Sequence, residues 1–320
     1  MSGIKTIFKK ELADHFSSYR FVILFAVIAM VSLIMAYMAG LNMKKDLESV
    51  AKPQFVFLML FTTSGAMFSL VQFVAFFGPL IGLILGFDTI NRERNEGTLS
   101  RLLSQPIYRD AVINGKFLAG VFIIAIMMVS IVLVITGLGL NIVGVIPGIE
   151  EFWRIFIYLL ISIIYISFWL GVAMLFSILF RSVATSALAA LALWIFFSFF
   201  VSLGANVVAS ALTPDASESN PEAIIQRARI SQAIALISPM ELYTDSTATI
   251  IDPMRKTTRS YSHMRMGLME QLSISRFSGP LSLGQSVLIV LPYMISLVAI
   301  TLICFAISYA VFMRQEIRSL

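Results

Sequence analysis

Residues 117–140 read Phe117-Leu-Ala-Gly-Val-Phe-Ile-Ile-Ala-Ile-Met-Met-Val-Ser-Ile-Val-Leu-Val-Ile-Thr-Gly-Leu-Gly-Leu140, a stretch without one charged side chain. At about 1.5 Å per helical residue, a stretch of this length crosses the roughly 30 Å hydrocarbon core of a bilayer. Its apolar residues are continuous rather than alternating. That pattern suits a helix and not a barrel strand, whose lumen-facing positions would be polar.

Working outward, the charge-free run extends from Phe117 to Ile149, and five more such runs obey the same rule: Phe21 to Met43, Pro53 to Phe87, Ile155 to Phe180, Ser182 to Pro214 and Phe277 to Met313. The chain therefore reads as an all-α polytopic membrane protein with six transmembrane helices, at about 21–41, 65–87, 117–140, 155–180, 183–208 and 286–313. The 320 residues are 58% hydrophobic and only 13% charged, which excludes an ordinary soluble domain. Pro53 to Ser64 and Gly137 to Ile149, broken up by Gly and Pro, are expected to form interfacial pieces beside the spans.

Basic residues set the orientation. With the N-terminus inside, the inner segments carry twelve: Lys5, Lys9, Lys10, Arg20, Arg92, Arg94, Arg101, Arg109, Lys116, Arg181, Arg314 and Arg318. The short outer loops carry Lys44, Lys45, Lys52 and Arg154. Both termini are expected to be cytoplasmic in a multi-pass protein of the cell membrane, and the net charge of +5 is this topological bias rather than a nucleic-acid footprint. No cleavable signal peptide is expected, because some twenty polar and amphipathic residues precede the first run. The single Cys304 lies within the last span and has no intrachain partner for a disulfide.

Residues 1–20 place Ile4, Ile7, Phe8, Leu12, Phe16 and Tyr19 on one helical face, which predicts an amphipathic interfacial helix. In the second span Gly78, Gly82 and Gly86 recur every four residues, a stripe for close helix packing, and Pro79 should kink that helix. The segment 209–285 contains two helix starts, at Pro221 and at Ser238-Pro239, and predicts a small helical cap on the outer face. Its carboxylates, together with Glu150 and Glu151, are scattered as on a solvated surface.

Between the second and third spans, residues 88–116 hold nine charges. Gly97 permits a turn, Thr98 can cap a helix beginning at the next residue, Leu99, Leu102 and Leu103 share a face, and Pro106 stops the helix. A short stiff rod held by two spans can serve as a lever, because a push on it tilts the helices to which it is joined. The chain carries no P-loop: at its only Gly-Lys, Gly115-Lys116, Asp110 stands in the first glycine position and Phe117 in that of the hydroxyl residue. The predicted spans also lack the ionisable relay of proton-coupled carriers.

The string from Asn91 to Lys116, with Glu93, Glu96-Gly97-Thr98-Leu99, Leu102-Leu103-Ser104, Pro106-Ile107, Arg109 and Gly115-Lys116, resembles the coupling-helix region of the type-2 ABC transporter permease family. The resemblance extends to the N-terminal helix, the six spans, Ser238-Pro239 before the last span and the basic C-terminus. It implies a permease subunit that is not itself an enzyme. A separate nucleotide-binding ATPase would hold ATP and Mg, dock on Glu93, Glu96, Gly97, Thr98, Leu99, Leu102, Leu103 and Pro106, and drive transport, with export as the expected direction. It further implies a second permease copy, as homodimer or heterodimer, and leaves room for an extracytoplasmic partner. A non-transporting scaffold or mechanotransmission subunit, and a copper-handling permease, are the alternatives. For the last, His263, Met264, Met266 and Met269 offer imidazole and thioether groups suited to Cu(I). His15 and His263 fall on opposite sides of the membrane and cannot share a zinc ion.

Overall fold

In a computed structural model the described residues are 2–49, 55–62, 69–98, 108–142, 144, 146–214, 221–254 and 279–315. Leu99, Leu102, Leu103, Pro106, His263, Met264, Met266 and Met269 lie outside them. Every regular element among the described residues is helical. Six helices there are long and apolar enough to cross a membrane. The chain forms two compact units, Met1–Leu191 with Val298–Leu320, and Ala192–Leu297.

The first unit contains α1 (Ser2–Phe16), α2 (Tyr19–Ser49), α3 (Val56–Thr62), α4 (Leu70–Gly86), α5 (Asn91–Asn95), α6 (Arg109–Ile142) and α7 (Ile149–Leu179). It also holds most of α8 (Val183–Ile195) and the later part of α12 (Leu283–Arg314). Its centre is the pairing of α4 with α7. Gly82 lies so close to α7 that a Cβ there would stand 2.5 Å from the Ile166 carbonyl oxygen and 2.8 Å from the Leu170 nitrogen, and one on Gly86 would stand 2.7 Å from the Ala173 Cβ. Gly78 faces Ile166 in the same row, so the stripe packs within the chain.

Pro79 has no N–H to give to the carbonyl four residues earlier, that of Ala75. The Tyr165 hydroxyl of α7 supplies the missing donor at 2.8 Å, so the proline itself helps to fix the partner helix. The last span joins through a Phe117–Phe305 stack with centroids 4.2 Å apart and a Ser308 hydroxyl that donates to the Gly171 carbonyl at 3.2 Å.

At the far end from residues 87–98, α3 is buried along its apolar residues and packs Phe61 edge-on to Tyr158. Glu151 holds it there. One carboxylate oxygen accepts from the Phe57 N–H at 3.0 Å and the other from the Gly148 N–H at 2.8 Å, which caps α7 as well. Arg154, fully buried, donates to Glu150 at 2.9 Å and lies over the Phe55 ring. The expectation of solvated surface carboxylates is thus corrected for Glu151, whose burial is sustained by two backbone donors.

The second unit contains the end of α8, a π-helical turn Phe196–Phe200, α9 (Val201–Leu212), α10 (Pro221–Ala235), α11 (Pro239–Ile251) and the start of α12. α10 runs back along α9, with the Ser231 hydroxyl on Asn206 at 3.1 Å. The chain then turns at Ser238, whose hydroxyl donates to the Phe197 carbonyl in the widened π turn at 2.9 Å. There α11 begins, with Ser202 of α9 donating to Glu241 at 3.1 Å.

Phe197 is midway along the apolar helix Val183–Leu212. The pair α10–α11 is therefore a helical hairpin whose turn at Ser238 lies beside Phe197, midway along that apolar helix. α11 is buried over most of its length. Its hydroxyls bond back into their own helix, Ser246 to the Leu242 carbonyl at 2.6 Å and Thr247 to that of Tyr243 at 2.9 Å. Asp245, counted among the surface carboxylates by its sequence, is buried and accepts from Gln232 at 3.4 Å.

Candidate functional site

The segment 87–98 is where the helices of the first unit meet. It leaves α4 through a turn and forms the single helical turn α5. Ile90, at the cap position, has no side-chain oxygen to satisfy the first N–H groups of α5. Ser177 of α7 does so instead, accepting from Ile90 N at 2.9 Å and Asn91 N at 3.1 Å. The chain then reaches Gly97 at φ +69°, in the left-handed region open to glycine. Beyond it the Thr98 hydroxyl donates back to the Glu93 carbonyl at 3.2 Å.

Each span reaches this segment. Arg20 at the start of α2 pairs with Asp88 at 2.6 Å. Ser186 in α8 donates to the Phe87 carbonyl at 2.9 Å, and Asn95 donates to the Arg181 carbonyl at 3.2 Å. Gln315, one residue past α12, accepts from Arg94 and donates to the Ile178 carbonyl of α7 at 2.8 Å, while its own carbonyl takes Arg109 of α6 at 3.1 Å. With α4 continuous into the loop, all six spans are tied to one short stretch of backbone.

One buried part of this junction is ionic. Lys116 of α6, its side chain 3% exposed, donates to Glu11 of α1 at 2.8 Å and to Glu93 of the loop at 3.0 Å. Lys10 reaches the same two carboxylates, each at 3.2 Å. Close approach is possible because α1 lies against Gly115, where a Cβ would stand 2.7 Å from the Ile7 Cγ2, and Phe8 meets Phe122 edge-on.

Burial by itself would raise the Glu11 carboxyl, but Lys116 and Lys10 together outweigh it and hold the group below its ordinary 4.5. Burial, then the Lys116 charge, holds His15 below its ordinary 6.5 against the opposing pull of Glu11, Asp88 and Asp14. A depressed folded-state value means that the stabilisation is complete above the ordinary value and is lost as pH falls through the folded one. The docking of α1 should therefore weaken as pH drops below 6.5 and further below 4.5. A fluorophore on Lys9→Cys, with Cys304 replaced by Ala, should report this loosening on acidification and none from about pH 7 to 9.

Of the sequence-derived docking residues, Glu96, Gly97 and Thr98 are exposed, whereas Glu93 is turned inward onto the lysines. The Arg92–Glu96 pair is exposed on both sides and contributes little. The sequence alone does not single out Glu11, Lys116, Ser177 or Gln315 as parts of the junction. One signal is present for Glu11: a charge four residues after Ile7, on the otherwise apolar face of residues 4–19. Among the described residues no group of three or more His, Cys, Asp or Glu side chains could hold a metal ion.

Six apolar helices gathered on one charged loop define a multi-pass α-helical membrane protein. The chain belongs to the ABC-2 family transporter proteins, whose family model matches residues 5–317. It is similar to a protein of Pseudomonas aeruginosa named as the probable ABC transporter permease protein NosY, with 31% identity over 126 residues. That stretch is 39% of this chain and 42% of the relative, so less than half of the relative's length is covered.

Proposed function

We propose that this chain is the permease subunit of an ATP-binding cassette transporter, with residues 88–116 on the cytoplasmic side as the seat of a separate ATPase. The observation that carries this reading is the convergence of all six spans on residues 87–98 by Arg20, Lys116, Ser177, Ser186 and Gln315. A force applied to such a loop acts on the spans together, as a lever requires. Glu96, Gly97 and Thr98 belong to the face offered to the ATPase, which the sequence continues with Leu99, Leu102, Leu103 and Pro106; the ATPase holds ATP and Mg. Glu93 belongs to the attachment of the loop rather than to that face. Two permease copies enclose the pathway, and export is the direction favoured for a chain of this layout. The uncharged composition of the spans suits a hydrophobic or amphipathic cargo.

Affinity purification of the tagged chain from its native membrane, with its partners identified by mass spectrometry, tests this. An ATPase with a P-loop should co-purify and should be lost with Glu96→Lys. Transport by the purified chain alone, or a partner set without an ATPase, would overturn the reading.

A further inference from the structure

We propose that Glu11 and Lys116 are positioning residues of the coupling step, which lock the N-terminal helix α1 to the loop so that α1, the loop and the start of α6 move as one body. The inference rests on the reading of residues 88–116 as a lever and adds a part to it. Lys116 donates to a carboxylate on each of two separate segments, Glu11 in α1 and Glu93 in the loop, and Lys10 of α1 completes the ring.

A buried ion cluster is a poor source of net stability, since desolvation offsets most of the attraction. Its contribution is geometry. Apolar contacts alone, Ile7 on Gly115 and Phe8 on Phe122, would tolerate a slip of α1 along α6. The ammonium of Lys116 meets both carboxylates in one register only. The second oxygen of Glu93, Oε2, is buried and meets no donor among the described residues, so Glu93 ties the loop to α1 and α6 through Oε1 and the two lysines. Removing Lys116 would leave Glu11 and Glu93 sharing Lys10, whose side chain is nearly half exposed. The two segments would then part most readily at this point.

Spin labels at the exposed positions Lys9→Cys and Arg92→Cys, in a Cys304→Ala background, measure the α1–loop distance in the permease alone in lipid nanodiscs. One narrow distance distribution is expected, retained in Lys116→Arg and at least doubled in width in Lys116→Met. If Lys116→Met does not insert, Glu11→Gln should broaden the distribution in the same way. A second pair, Lys9→Cys with Ile146→Cys, is read in the assembled complex before and after nucleotide trapping. Its distance should shift in the parent and in Lys116→Arg, and stay fixed in Lys116→Met while the ATPase still co-purifies. A distribution equally narrow in Lys116→Met and Glu11→Gln, or a loop that moves on trapping while α1 does not, would overturn the proposal. Failure of any ATPase to bind would strike the docking reading alone, and the permease-only distances would still decide the lock.

Discussion

Gly82→Leu is expected to abolish recovery of folded protein, while Gly137→Leu leaves it unchanged. The atoms that a Cβ at Gly82 would meet, the Ile166 carbonyl at 2.5 Å and the Leu170 nitrogen at 2.8 Å, are both backbone, so no side-chain rotation relieves the clash. The two helices must separate, and separation also breaks the Tyr165 bond to the Ala75 carbonyl and leaves that carbonyl unpaired beside Pro79. Overpacking in a core that can adjust costs about 1–3 kcal/mol. Here adjustment is blocked along a whole helix pair, so the loss should exceed that range. Gly137 sits in another span with nothing within 4 Å of its Cβ position, which makes it the control for adding a leucine to an apolar helix. Fluorescence-detected size-exclusion with a thermal challenge separates the two: a monodisperse Gly82→Leu peak with the parent's melting point would contradict the packing described.

With an ATPase seated on residues 88–116 as proposed, Gly97→Pro is expected to uncouple ATP hydrolysis from transport almost completely. At φ +69° the residue lies where proline, fixed near −65°, cannot go, and proline also removes the N–H that donates to the Arg94 carbonyl at 3.2 Å. The chain beyond Gly97 would leave the junction in another direction. Space is not the issue, because a Cβ at Gly97 meets nothing within 4 Å. Asparagine and alanine test the dihedral angle alone and proline adds the lost donor, which predicts an order. Asparagine, which visits the left-handed region, should be tolerated, alanine should be impaired by about 1–2 kcal/mol, and proline should be worst. ATPase co-purification and nucleotide-dependent transport in proteoliposomes, measured across the three, check the order. Equal coupling in Gly97→Pro and parent would remove Gly97 from the mechanism.

The spans are legible in the sequence because a charge-free run of spanning length has few other uses, and their ends are less so. The third span is expected to start at Phe117, and the helix that carries it, α6, begins earlier, at Arg109, where Arg109 and Lys116 find Gln315, Glu11 and Glu93 within the fold. α7 likewise starts at Ile149, ahead of the expected residue 155, since Glu150, Glu151 and Arg154 satisfy one another or the neighbouring backbone. A charge ends an apolar run in the sequence without ending the helix that carries it. The glycine stripe is readable as packing, but its partner α7 is not, because close approach leaves no mark on the facing sequence. The hairpin escapes for a different reason: Ser238, Ser246, Thr247 and Asp245 resemble solvated residues until their donors and acceptors are traced to the backbone of α11, to Phe197 and to Gln232.

The hairpin also constrains the order in which the chain can be built. A translocon releases segments sideways into lipid according to their apolarity, and α10 and α11, with Arg227, Arg229, Glu241 and Asp245, would not be released that way. α11 is held partly by residues made after it, through Thr249 to the Ser286 carbonyl at 3.4 Å and Leu281 N–H to the Pro253 carbonyl at 2.9 Å. α10 and α11 can therefore be fully seated only after residues 281–286 have been made. A ribosome stalled before residue 283 would leave α10 and α11 open to an added protease, and one stalled past residue 314 would not.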